Sequence, residues 1–142
     1  MKIVLDTNIY IAAALNDSGY SEDILKQISK SAAFTLIISD EILLEIENKL
    51  SSKFHWVQGD IDRFITKIRN FSVSVEVNEK LSVVKRDPED NKILECALSG
   101  QANLIITLDQ DLIKLKNFRG IGIIHPETFS WTFPEYFKKS KA

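Results

Sequence analysis

Arg86-Asp87-Pro88-Glu89-Asp90-Asn91-Lys92 leads through an apolar run to Leu98, and beyond Gly100 comes Asn103-Leu104-Ile105-Ile106-Thr107-Leu108-Asp109-Gln110-Asp111. The first part has the chemistry of a helix start. Asp87 suits the N-cap, Pro88 the first helical position, and Asp90 the place of a capping-box acid. Ile93, Leu94, Ala97 and Leu98 then recur at helical spacing and predict one buried face. After the Gly100 stop, Leu104-Ile105-Ile106 is a short apolar run of the kind found in strands covered on both faces. It ends directly in Thr107 and the aspartates 109 and 111. One helix and its return strand thus join two groups of carboxylates, one at a helix start and one at a strand end. In an open α/β sheet, sites are built at the C-terminal ends of strands.

The rest of the chain repeats this alternation. Lys2-Ile3-Val4-Leu5 reads as an apolar strand ended by Asp6-Thr7-Asn8, and the nearly all-apolar helix Ile9 to Leu15 follows. A second helix is expected from about Ser21 to Ser31, and a second strand over Phe34 to Ile38. Ser39 is a good N-cap for a helix from Asp40 to about Leu50, with Ile42, Leu43, Ile46 and Leu50 as its core stripe. Glu41, Glu45 and Asn48 share a different face of it. Gly59 or Asp60 begins a helix through Arg69, and Ser72 to Val77 alternates with period two, as a strand nearer a sheet edge does. Ile121 to Ile124 supplies the last strand. Strands alternating with helices at short intervals predict βαβ units and a mainly parallel sheet within a single domain. The domain is read as residues 1–137, with 126–137 an aromatic segment packed on the body and 138–142 a loose tail.

With 142 residues the chain is long enough for one core without disulfides or structural metals. Its 44% hydrophobic and 27% charged residues are those of an ordinary globular protein, which excludes a disordered chain. No apolar run approaches a membrane span, and Met1-Lys2 leads into strand sequence rather than a signal peptide. The lone Cys96 falls among the helix residues, with no neighbouring His or Lys to activate it. These features point to the cytoplasm. A net charge of −2 argues against a general nucleic-acid coat protein, but not against an enzyme that gathers its acids in one metal pocket.

Asp6, Asp90 and Asp109 stand at strand ends or helix starts, and Glu45 lies on the helix after the second strand. Singly, each has an ordinary explanation as a cap or a solvated helix residue. In a parallel sheet, however, the first, second and fourth strands bring Asp6, the Glu45 helix and Asp109 to one edge. Carboxylates packed together repel unless cations bind them. Oxygen ligands without His or Cys select Mg²⁺ or Mn²⁺. Such ions polarise phosphoryl oxygens and lower the pKa of bound water. The expected chemistry is metal-dependent phosphodiester hydrolysis.

Four motifs in order now identify a resemblance: Val4-Leu5-Asp6-Thr7-Asn8, Ser39-Asp40-Glu41-Ile42-Leu43-Leu44-Glu45-Ile46, Asp87-Pro88-Glu89-Asp90-Asn91, and Thr107-Leu108-Asp109-Gln110-Asp111. Over nearly its whole length the chain resembles the PIN-domain ribonucleases, notably the toxin-like bacterial and archaeal members. The resemblance implies Asp6, Glu45, Asp90 and Asp109 as an acidic quartet that binds metal, with Asp111 a further acid beside it. Asn8 and Thr107 match polar positions that orient ligands or water. Leu108 departs from the pattern, since many relatives carry a small residue there. The resemblance further implies a doubly wound, three-layer α/β/α sandwich, cleavage of single-stranded or structured RNA with Mg²⁺ or Mn²⁺, an antitoxin partner, and a homodimer. Lys85, Arg86 and Lys92 flank the acidic loop and are candidates for phosphate contacts, with Lys92 the strongest.

Rival classes fit less well. An aspartyl-nucleophile phosphatase wants a second acid two residues after Asp6, and position 8 is Asn. A receiver domain wants an acceptor Asp after its middle strand and a Lys near its last; Val77 and Ile124 are followed by Asn78 and His125. The first strand leads into no glycine-rich nucleotide loop. A non-catalytic binding module of the same fold stays open as the alternative, and metal-dependent turnover separates the two.

Overall fold

The computed structural model describes residues 1–81 and 90–134. The helix start at Asp87-Pro88, the cations Lys85 and Arg86, the aromatics Tyr136 and Phe137, and the tail 138–142 lie outside the described residues. In chain order the elements are β1 (Lys2–Leu5), α1 (Thr7–Leu15), α2 (Tyr20–Lys30), β2 (Thr35–Ser39), α3 (Asp40–Ser52), α4 (Gln58–Asn70) and β3 (Ser72–Val75). They continue with α5 (Asp90–Ser99), β4 (Leu104–Ile106), α6 (Gln110–Ile113), β5 (Asn117–Phe118), β6 (Ile121–Ile124) and α7 (Pro126–Thr132).

The strands form one sheet of order β3-β2-β1-β4-β6-β5, parallel throughout except for the β5–β6 pair. From β1 the chain steps outward through β2 to β3 at the edge, then returns past β1 to β4. With right-handed crossovers this reversal puts α1 to α4 and α5 on opposite faces, the three-layer arrangement expected. It also makes the boundary between β1 and β4 the topological switch point, where a crevice opens outside the strand ends. Registers Val4↔Ile105 and Leu5↔Ile106 align those two ends.

The central strands are buried on both faces, as their unbroken apolar runs predict: Ile3, Val4, Leu5, Ile105 and Ile106 have no exposed surface. Each such side chain stabilises the fold by roughly 1.5–3 kcal/mol relative to exposure. Ser39 caps α3 by accepting from the Ile42 N–H. At the far end of α5, a side chain at Gly100 would place its Cβ 2.6 Å from Ile37 Cγ2, so a residue without a side chain lets the helix end close onto β2.

Two elements differ from the sequence expectation. β3 ends at Val75 rather than Val77, and residues 76–81 form a loop tied to α5: Leu81 N–H donates to the buried Glu95, and Asn78 bonds Ser99. From His125, where no pattern was legible, α7 forms, and its Phe129 packs between Phe34 and Phe133.

Candidate metal centre

The sheet ladder runs past the strand ends and fixes the first two site residues. Asp6 N–H donates to Ile106 O at 3.0 Å, and Thr107 N–H donates to Ile124 O at 3.0 Å. With their backbones so held on adjacent strands, the Thr107 hydroxyl donates to Asp6 Oδ2 at 2.5 Å. The same hydroxyl oxygen accepts the Asp109 N–H at 2.9 Å. Thr107, fully buried, thus clamps the aspartate after β1 to the loop after β4.

Asp109 is the N-cap of α6. Its Oδ1 accepts from the N–H groups of Asp111 and Leu112, which uses one oxygen for the turn and fixes the carboxylate's direction. Asp90 opens α5 and is buried. The result is a cluster in which Asp90, Asp109 and Asp111 each present a carboxylate oxygen within 4.8 Å of the others. Asp6 is buried beside it. Burial pushes the Asp6 carboxyl above the usual carboxylate range, the Thr107 hydrogen bond draws it back, and the charge of Asp109 raises it again. The backbone N–H of Asn8 and the Lys49 ammonium oppose that rise.

Glu45 is buried but stands apart from the three aspartates. It accepts from the Thr7 hydroxyl at 2.8 Å, and Lys49 Nζ lies 3.4 Å from its other oxygen. Helical periodicity placed it on a polar face; the two partners are what allow that face to be buried. Asn8 is exposed and accepts from Lys49 Nζ at 3.2 Å. Leu108 is 42% exposed and borders Asp109 at the mouth. Lys92 is half-buried in the first turn of α5 and lines a groove of about 540 Å³ together with Asn8, Glu45 and Lys49.

Sequence reasoning passed over Thr7, which ties α1 to Glu45. Its signal was available: a hydroxyl directly after a strand-ending aspartate. The donor set suits a hard divalent cation, since the clustered ligands are carboxylates with no His or Cys among them. The buried, electrostatically opposed Asp6 is what a cation would relieve.

A parallel α/β sheet with acids gathered at its switch point defines the class. A family model described as PIN domain matches residues 2–111, and the chain belongs to the PIN domain family. It is 38% identical over 120 residues to an uncharacterised protein of Methanocaldococcus jannaschii, covering 82% of this chain and 76% of that one. Among solved structures, VapBC2 from Rickettsia felis, bound to a DNA fragment from its promoter, superposes with a TM-score of 0.61 at 19% identity, over 88% of this chain and 98% of that one. PAE2754 from Pyrobaculum aerophilum gives 0.60 at 16% identity, over 95% and 90%. DNA-bound VapBC from Salmonella typhimurium gives 0.56 at 17% identity, over 89% and 98%. These structures share the fold. Among the described residues, no helix is long and apolar enough to cross a membrane.

Proposed function

We propose that the protein is a metal-dependent endoribonuclease of the cytoplasm, the toxin component of a toxin–antitoxin pair, working as a homodimer restrained by an antitoxin protein. The observation that carries the reading is the convergence of Asp90, Asp109 and Asp111 within 4.8 Å, beside the buried Asp6. Membership of the PIN domain family supports a nuclease, and the shared fold of the VapBC structures supports the toxin role.

Asp6, Asp90 and Asp109, with Asp111, would hold Mg²⁺ or Mn²⁺, and Glu45, engaged by Thr7 and Lys49, borders them as the fourth acid of the quartet. The ion supplies Lewis-acid polarisation of the phosphoryl group and a water acidic enough to be a nucleophile at neutral pH. The chain's own part is positional. Thr107 holds Asp6 and Asp109 in one geometry, as groups behind metal ligands do. Lys49 neutralises Glu45 and partly offsets the charge near Asp6. Lys92, with Lys85 and Arg86, contacts the backbone of RNA without choosing its sequence.

The test is cleavage of end-labelled single-stranded RNA by the purified protein. Expected is cleavage with Mg²⁺ or Mn²⁺, none in EDTA, and none by Asp90→Asn. Cleavage that survives in the variant would locate the activity elsewhere. Failure of the wild type on a broad RNA set with either ion would favour a non-catalytic binding module.

A further inference from the structure

The groove beside the cluster extends along α3, and its chemistry is that of a polyanion site. Glu45 and Lys49 lie at its inner end, and Lys53, one turn beyond Lys49, at its outer end. From Glu45 to Lys53 the helix rises about 12 Å. Lys92 faces in from α5. The remaining polar wall is neutral: Asn8, Asn48 and Ser52. Asn8 and Lys92 each follow a site acid by two residues, Asp6 and Asp90, so the groove begins where the acidic cluster ends.

The charge balance is distinctive. The groove holds three ammonium groups and one carboxylate, and that carboxylate is already engaged by Thr7 and Lys49. Lysine is a point-charge ligand for phosphate and needs no bidentate geometry. A volume of about 540 Å³ is within the range of real ligand sites. A strand whose scissile phosphate lies at the cluster must carry its neighbouring phosphates across the adjoining surface, and this cationic groove adjoins it.

We propose that the α3 groove is a phosphate track, in which Lys53 and Lys92 bind the flanking backbone of a single-stranded RNA while Lys49 stays paired with Glu45. The identity of the polyanion rests on the nuclease reading above. Asn48 supplies a neutral amide donor between the charges, while the Ser52 hydroxyl donates to the Asn48 carbonyl within α3. Recognition here is independent of base sequence, because each contact is to phosphate.

The test is equilibrium binding of a fluorescent 2′-O-methyl oligoribonucleotide of mixed sequence, measured against salt concentration without divalent ions. Such a probe resists hydrolysis and needs no active metal site. Each lysine–phosphate contact contributes a slope of about −0.7 in log K against log salt. Lys53→Ala/Lys92→Ala is expected to flatten the slope by roughly 1.4 and weaken binding about 25-fold near 0.1 M salt. Lys26→Ala/Lys30→Ala, on α2, makes the same change in net charge and should leave the slope as in wild type. Unfolding of each variant at the wild-type temperature shows that the fold is retained.

An unchanged slope in Lys53→Ala/Lys92→Ala, or an equal loss in the α2 variant, would overturn the track. So would preferential binding of poly-glutamate over the oligonucleotide, which would assign the groove to an acidic protein partner. Oligonucleotide binding that depends on Lys53 and Lys92, in a protein that shows no cleavage with any metal, would keep the track and remove the nuclease.

Discussion

At the scale of single residues the molecule turns on Thr107. Its hydroxyl both donates to Asp6 and accepts from the Asp109 backbone, in a position with no access to water. Valine has nearly the same shape and can do neither. Thr107→Val would leave Asp6 Oδ2 and the Asp109 N–H unmatched at once, a loss of about 1–3 kcal/mol for a buried site. The metal affinity of the cluster should fall roughly 10–100-fold, the usual effect of removing a group that orients a ligand. Thr107→Ser should restore most of both, since it keeps the hydroxyl. Urea unfolding and Mn²⁺ titration of the two variants check this. A Val variant that matches wild type, with loss in the Ser variant alone, would show that the methyl group, not the hydroxyl, matters.

At the scale of elements, α1 and α5 each carry a titratable group into the core, Tyr10 and Cys96. The Tyr10 hydroxyl has no hydrogen-bond partner among the described residues, and Cys96 is fully buried with Ser39 nearby. Burial pushes the Cys96 thiol up to about 12, a hydrogen bond from Ser39 lowers it slightly, and Glu41 raises it. Burial also drives Tyr10 well above its ordinary value, with Cys96 adding to the rise. Both groups are raised, so each favours the folded state while protonated. Cys96's share is complete below pH 9.0 and is lost as pH climbs toward about 12. Stability should therefore decline above pH 9.0, with a limiting slope of 2.303RT per pH unit for each group. Urea midpoints at rising pH test it; a midpoint that does not fall would contradict the burial of these two groups. Iodoacetamide at neutral pH should modify Cys96 only after unfolding. Elements also show what a sequence can reveal. β1, β2, β4 and the Ser39 cap were legible because apolar runs and a hydroxyl before a helical stripe have one local meaning. The β5–β6 hairpin was not: it turns through Arg119 and Gly120, both at positive φ, and arginine is not a residue that advertises such a turn. α7 was hidden for a similar reason. Pro126 is at its first turn, but the cap is the imidazole of His125 accepting from Glu127, outside the usual cap residues. Asp6, Asp90 and Asp109 were legible from their places at strand ends and helix starts. Glu45's burial was not, because it depends on Thr7, far away in sequence.

For the whole molecule, the site and the stability of the fold oppose each other. The sheet holds Asp6 buried against Asp109, and its carboxyl is raised by that burial, so at neutral pH its ionisation works against folding. The sign is fixed by linkage. Asp6's favourable share is complete below its ordinary 3.8 and disappears as pH rises through the higher folded value. Asp6→Asn removes the charge but keeps an oxygen to accept from Thr107. Without divalent ions this variant should be more stable than wild type at pH 7, with a higher unfolding temperature. Mn²⁺ should reverse the order. At tenfold its dissociation constant, an ion bound at the cluster stabilises wild type by about 1.4 kcal/mol, and the variant should gain little of that. Thermal unfolding of both proteins, in EDTA and then in Mn²⁺, gives the four temperatures required. A variant less stable than wild type in EDTA would mean that Asp6 is a structural cap. A variant that gains from Mn²⁺ as wild type does would place the ion away from Asp6.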